Sequence, residues 1–249
     1  MIVYIYGNDS RVQCLKTIFK NDGYQIIDDI QQVSNCDIVY LGKDGQGFEG
    51  CDFKRGAIVL TLLKNQRLNY LSNLKEFTYD YLYRDEKFVC QNTLICDEAL
   101  IAYMIIDNNI SLANSKILIL GYGHCGKDLA GKLSSFDAKI TIANRDNHHY
   151  DEVIKEGYSY QSLKHLNLKG YDFIINTIPY PVLTRKILTT KNPSCQIYDL
   201  ASKPYGVKKI DRDTNYHLLT KLPTKYAYLS SGKILYDVIK RMVNSYAGK

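Results

Sequence analysis

Tryptophan is absent from this chain of 249 residues, and all five of its prolines lie at or beyond Pro179. Helices and strands can therefore run uninterrupted through most of its length. No cysteine pair has CxxC spacing. The seven cysteines, at 14, 36, 51, 90, 96, 125 and 195, suit neither a disulfide framework nor a zinc site. Reduced, mostly buried thiols and no metal are expected, as in a cytoplasmic protein. The net charge is +6, yet no block of five or six basic residues occurs. That argues against nucleic acid and for anionic small molecules as partners. No apolar run approaches the roughly 20 residues that span a bilayer. The first residues lack the basic start and cleavage site of a signal peptide. No Ser/His/Asp set, HExxH motif or P-loop lysine is present. His165 and His217 lie in apolar-rich stretches that suit a structural role.

What is present is ordinary globular material, with 45% hydrophobic and 23% charged residues, enough to exclude disorder. The first part reads as strand, helix and strand. Ile2 to Tyr6 is a short apolar run. Asp9 or Ser10 caps a helix to about Asn21, with Val12, Leu15, Ile18 and Phe19 at helical spacing. Residues 24–27 and 37–41 read as strands, 42–50 as a flexible loop, 57–63 as a strand and 65–77 as a helix. The Tyr-rich stretch from Tyr79 to Tyr83 is left without an element. Asp97 starts a connecting helix of about Glu98 to Asp107. The last helix runs from about Ser230 to Tyr246. The expected fold is α/β: two Rossmann-like parallel-sheet domains with a cleft between them, the second binding a dinucleotide. The expected division is 1–95 for an N-terminal substrate or interaction domain and 96–110 for the connector. Residues 111–228 form the nucleotide domain, and 229–249 a C-terminal helix packing back across the domains.

The second domain carries the clearest signal. Lys116 to Leu120 is an apolar strand, followed directly by Gly121-Tyr122-Gly123-His124-Cys125-Gly126 and an amphipathic helix. GxGxxG alone is common; between a strand and a helix it is the dinucleotide fingerprint. Gly121 makes the turn, Gly123 lets a pyrophosphate approach the backbone, and Gly126 lets helix and strand pack closely. The next strand, 138–143, ends in Asn144-Arg145, where NAD enzymes place an acid. An arginine binds a 2′-phosphate through two charge-assisted hydrogen bonds, so NADP is expected over NAD. Asp146 is the opposing signal, and His148 and His149 read as a polar loop within reach of that phosphate. Thr177-Ile178-Pro179 closes the fourth strand of the domain and Asp199 the fifth, so both are expected beside the cofactor.

The same segments resemble the dipicolinate synthase A family, the NADP-binding subunits of a bacterial sporulation enzyme. Gly7-Asn8-Asp9-Ser10-Arg11 is similar to its Gly-Gly-Asp-x-Arg turn. Residues 92–98 are similar to its Asn-Ser-x-Pro-Thr-x-Glu segment. Ile175-Asn176-Thr177-Ile178-Pro179 is similar to its Ile-Asn-Thr-Ile-Pro. Asp199-Leu200-Ala201-Ser202-Lys203-Pro204-Tyr205-Gly206 is similar to its Asp-Leu-Ala-Ser-Arg-Pro-Gly-Gly. Departures occur at His124, where the family has arginine, at Ile95-Cys96 for Pro-Thr, and through 221–232. The resemblance implies an NADP-dependent oxidoreductase subunit that works with a flavoprotein, the second subunit of such a synthase. Its expected reaction makes pyridine-2,6-dicarboxylate from a dihydrodipicolinate-pathway intermediate. It further implies Arg11 and Lys203 as anchors for a small dicarboxylate, and Ser202 or Glu98 as a hydrogen-bonding or proton-handling group. A homo-oligomer is expected. Two other readings stand beside it: another two-domain NADP-dependent dehydrogenase of shikimate or 2-hydroxy-acid type, and a non-catalytic NADP-binding sensor or scaffold.

Overall fold

The computed structural model describes residues 1–145, 147–211 and 214–247, with only the backbone described for His148, Ile210 and Ala247. Asp146 and the His148 side chain therefore lie outside the described residues. The chain divides into two compact units, one of residues 1–95 and 223–249, the other of residues 96–222.

The first unit is a five-stranded parallel sheet. Its strands are β1 (Ile2–Ile5), β2 (Gln25–Ile27), β3 (Ile38–Tyr40), β4 (Ile58–Thr61) and β5 (Thr78–Tyr81), in the order β2-β1-β3-β4-β5. Side chains alternate across a strand, so each strand feeds two cores. Val3, Ile5, Ile38, Tyr40, Ile58 and Leu60 enter one core, and Tyr4, Val39 and Val59 the other. Helix α1 (Ser10–Asn21) is capped by Asp9, whose carboxylate accepts from the Val12 N–H at 3.0 Å. It buries Val12, Leu15 and Phe19. Helix α2 (Gln66–Lys75) is capped by Asn65. The Tyr-rich stretch proves to be the edge strand β5. Tyr79 explains its placement: its hydroxyl pairs with Thr61 Oγ1 at 2.7 Å and accepts from the Asn65 N–H at 2.6 Å.

Helix α3 (Glu86–Ile106) corrects the expected connector, which was to start at Asp97. Asp85 is the true cap: its carboxylate accepts from the Phe88 N–H at 2.7 Å and from Arg241 at 2.8 and 3.2 Å. The segment Phe88 to Ile95 has weak intrinsic helix preference, and burial of Phe88, Asn92 and Ile95 overrides it. By length and composition α3 is apolar enough to cross a membrane, which also corrects the expectation that no segment is. Asp97 and Glu98 stand near its middle, and Leu100 and Met104 pack in the core of the second unit.

That unit is a six-stranded parallel sheet. Its strands are β6 (Lys116–Leu120), β7 (Lys139–Asn144), β8 (Ser159–Ser162), β9 (Phe173–Asn176), β10 (Gln196–Asp199) and β11 (Tyr216–Leu218), in the order β11-β10-β9-β6-β7-β8. The edges β8 and β11 are short and carry no long apolar run, so they were not expected from the sequence. Helices α4 (His124–Ser134), α5 (Tyr150–Lys155) and α6 (Arg185–Leu188) follow β6, β7 and β9. Along β6, Ile117 and Ile119 face one core and Leu118 and Leu120 the other. Strand order reverses between β6 and β9, the switch point where doubly wound sheets bind ligands.

Helix α7 (Leu222–Tyr226) precedes α8 (Tyr228–Ala247), which belongs to the first unit. Leu235, Val238, Ile239, Met242 and Val243 of α8 share a core with α1. Close approach is set by Gly232, where a Cβ would lie 2.7 Å from Cys14 Sγ and 3.1 Å from the Arg11 carbonyl oxygen. Replacing glycine by alanine inside a helix gains about 1 kcal/mol of propensity, while forced overpacking costs about 1–3 kcal/mol. Gly232→Ala is therefore expected to destabilise. Gly131→Ala on α4, where a Cβ meets nothing within 4 Å, is expected to stabilise by up to about 1 kcal/mol. Urea unfolding of both variants checks the pair.

Candidate functional site

The site is built on the turn between β6 and α4. Gly121 has φ +96°, and a Cβ there would lie 2.5 Å from Thr177 Oγ1. A Cβ at Gly126 would lie 2.2 Å from the Gly121 carbonyl oxygen. The protein's own packing demands both glycines. Gly123 differs. Its φ of −84° and ψ of −165° are open to other residues, and an added Cβ would meet nothing within 4 Å. The fold gives no reason for glycine there; a ligand approaching the backbone does. Gly123 is also the cap of α4, and no side chain accepts a hydrogen bond there. The first-turn N–H groups have no partners within the helix, and with the helix dipole they favour an anion. No acidic residue lies in the first turn of α4. His124 is exposed at its first position.

The loop after β9 is brought against this turn. Thr177 donates to the Leu120 carbonyl oxygen through its hydroxyl at 2.8 Å and its N–H at 3.0 Å. Ile178 is half-buried and Pro179 exposed. Asn144, on the neighbouring β7, accepts the Arg145 N–H on Oδ1 at 2.8 Å, and Arg145 is exposed. Gly121, Gly123, His124, Gly126, Asn144, Arg145, Thr177, Ile178 and Pro179 thus cluster at the carboxyl ends of adjacent strands.

Three expected cofactor residues turn their side chains elsewhere. The Tyr122 ring is a core group packed edge-on to His149, and burial pushes its hydroxyl up to about 12. Asp199 is fully buried and is an internal tether. It accepts from Asn176 Nδ2 at 2.9 Å, Ala201 N–H at 3.1 Å, Gly206 N–H at 2.7 Å and the Tyr216 hydroxyl at 2.6 Å. It fixes the loop that presents Ser202 and Lys203, both exposed. The Cys125 thiol points at α3 and donates to Asp97 Oδ1 at 3.2 Å.

Glu98 is exposed in the interior of α3, so it does not serve a helix N-terminus as its expected position implied. In the first unit, Arg11 opens α1, is 9% exposed and donates to Asn92 Oδ1 at 3.4 Å. The adjacent Asn92 Nδ2 donates to the Tyr83 hydroxyl at 3.3 Å. Asp97 is the residue that sequence reasoning misplaced. Read as a helix start, it is a fully buried carboxyl within α3. Burial, reinforced by a hydrogen bond with Asp128, pushes it up to about 8. Burial also raises the Cys125 thiol, and Asp97 raises it further, so the thiol keeps its proton. An acid inside a run of apolar residues was the available signal.

Comparisons with known proteins agree with this geometry. Residues 105–193 match the family profile described as D-isomer specific 2-hydroxyacid dehydrogenase, NAD binding domain. The chain is 26% identical over 168 residues to the A subunit of dipicolinate synthase from Bacillus subtilis (strain 168), a match covering 65% of this chain and 56% of that relative. The match thus spans little more than half the length of the curated relative. The crystal structure of the corresponding dipicolinate synthase protein from Bacillus halodurans has a TM-score of 0.82 at 22% identity, covering 97% of each chain. The A chain of dipicolinate synthase from B. subtilis has a TM-score of 0.84 at 19% identity, covering 100% of this chain and 97% of that one. The resemblance read from the motifs is borne out, as is the fold of two parallel-sheet α/β units. The matches support a dehydrogenase-like subunit with a nicotinamide dinucleotide site.

The Asp97 carboxyl has a consequence for stability. Its folded value of about 8 lies above the ordinary carboxylate value near 4, so the folded chain holds a proton that the unfolded chain has lost between those limits. That contribution is full below about pH 4 and is lost as pH rises towards about 8, with a slope of at most about 1.4 kcal/mol per pH unit. Asp97→Asn removes it. Urea unfolding between about pH 5 and pH 8 should show wild type losing stability relative to Asp97→Asn as pH rises.

Proposed function

We propose that this chain is a cytoplasmic NADP(H)-dependent oxidoreductase subunit of the dipicolinate synthase A type. The observation that carries the cofactor reading is the empty approach to Gly123 above the uncapped N-terminus of α4. The N–H groups of the first turn would take the pyrophosphate. Arg145, after the last residue of β7, would take the 2′-phosphate, and Thr177 and Ile178 would border the nicotinamide side. The bound nicotinamide supplies the two-electron step, in which a dihydropyridine-type substrate gives up a hydride to it and a proton to a base as the ring becomes aromatic. The proposed substrate is a dihydrodipicolinate-pathway intermediate and the product pyridine-2,6-dicarboxylate.

Lys203 and Ser202 are exposed on a loop whose backbone Asp199 holds rigid. They suit a carboxylate: a point charge and a hydroxyl on a fixed frame. Arg11 of the first unit suits the same chemistry, and Glu98 is the proposed proton-handling group. A flavoprotein partner and self-association are further parts of this reading. They are supported by the similarity to the dipicolinate synthase of B. subtilis.

Calorimetric titration with NADPH and NADH in one low-salt buffer tests the cofactor. The 2′-phosphate contact is worth about 1–2 kcal/mol, so NADPH is expected to bind roughly tenfold more tightly. Arg145→Ala should abolish that preference. Gly123→Ala should weaken both ligands by more than tenfold, while changing stability by no more than about 1 kcal/mol at an N-cap. Equal binding of both dinucleotides would overturn the NADP assignment, and no binding would favour a scaffold role.

A further inference from the structure

Asp97 does not stand alone. The titratable and charged groups that face it are Cys125, Asp128 and Lys132, all on α4. The Cys125 thiol donates to Oδ1 at 3.2 Å. Oδ2 is buried and receives no hydrogen bond from any protein donor among the described residues. Its neighbour is the Asp128 carboxylate, itself paired with Lys132 one turn along α4. A buried carboxylate and a half-buried one that face each other cannot both be ionised at low cost. One proton therefore sits on Asp97 and is donated to Asp128. Burial opposes the charge on Asp128, but the hydrogen bonds from Asp97 and Lys132 outweigh it and keep that carboxylate below its usual range. Asp128 is thus the charged partner and Asp97 the neutral one. The chain of contacts reaches the nucleotide turn through Cys125, which lies between Gly123 and Gly126.

We propose that this proton is coupled to dinucleotide binding: the loop holds its anionic ligand tightly while Asp97 is neutral and loosely once Asp97 is ionised. The inference rests on the dinucleotide reading above. An ionised Asp97 would compete with the phosphates for the same positive helix end, and it would repel them through a poorly screened interior. By linkage, binding then takes up a proton. Asp97 acts here as a positioning residue, beneath the turn and through Cys125.

The test is calorimetry of the full chain with NADPH from about pH 7 to about pH 9.5, in two buffers of different ionisation enthalpy. Wild type should weaken about tenfold across that range, with fractional proton uptake near the midpoint. Asp97→Asn should bind with a flat profile and no uptake. Asp128→Asn, on the more exposed side of the pair, removes the acceptor of the shared proton and should move the midpoint to lower pH. If Asp97→Asn fails to fold, that shift carries the test. A flat wild-type profile, or a slope unchanged in both variants, overturns the coupling alone. Failure of wild type to bind NADPH at any pH overturns the dinucleotide reading and the coupling with it.

Discussion

The contact of Gly126 with the carbonyl oxygen of Gly121 sets how closely α4 lies on β6. A side chain there would stand 2.2 Å from that oxygen. Because the helix can come this near, its first turn opens at the carboxyl end of the sheet, beside Thr177 and the end of β7. The same approach carries Cys125 and Asp128 towards α3. An uncapped helix end, an open glycine and a buried acid are therefore three results of one close packing.

Around that contact the protein uses rigid tethers. Asp199 accepts four hydrogen bonds and is used wholly inside the fold. A buried carboxylate with this many donors is satisfied, whereas removing it would strand several polar groups. Gly206 belongs to the same arrangement, since a Cβ there would strike the Asn176 amide at 2.3 Å. Residues that are close to the ligand-binding end of the sheet can thus be structural in role. The residues left to meet a ligand, Ser202 and Lys203, are the exposed ones on the loop these tethers hold.

Asp97 shows the opposite arrangement. It has one donor, one unsatisfied oxygen and a carboxylate as its neighbour. Buried polar groups with incomplete partners are rare in native proteins, and here the missing partner is supplied by a proton. Such a group is sensitive to charge placed nearby, which a dinucleotide is.

The sequence alone determined the parallel α/β plan, the two units, and the turn at Gly121 to Gly126. These rest on local rules: short apolar runs make buried strands, helical spacing makes amphipathic helices, and glycines in that context make one kind of turn. It also placed Asn144-Arg145 at the end of β7. Tertiary structure decided what local rules cannot carry. The start of α3 was set by burial of Phe88 and Asn92 rather than by propensity. The edge strands β5, β8 and β11 formed because a neighbouring strand offered its hydrogen bonds. The side chains of Tyr122, Cys125 and Asp199 turned into the protein because direction depends on what packs above a residue, which a motif does not record.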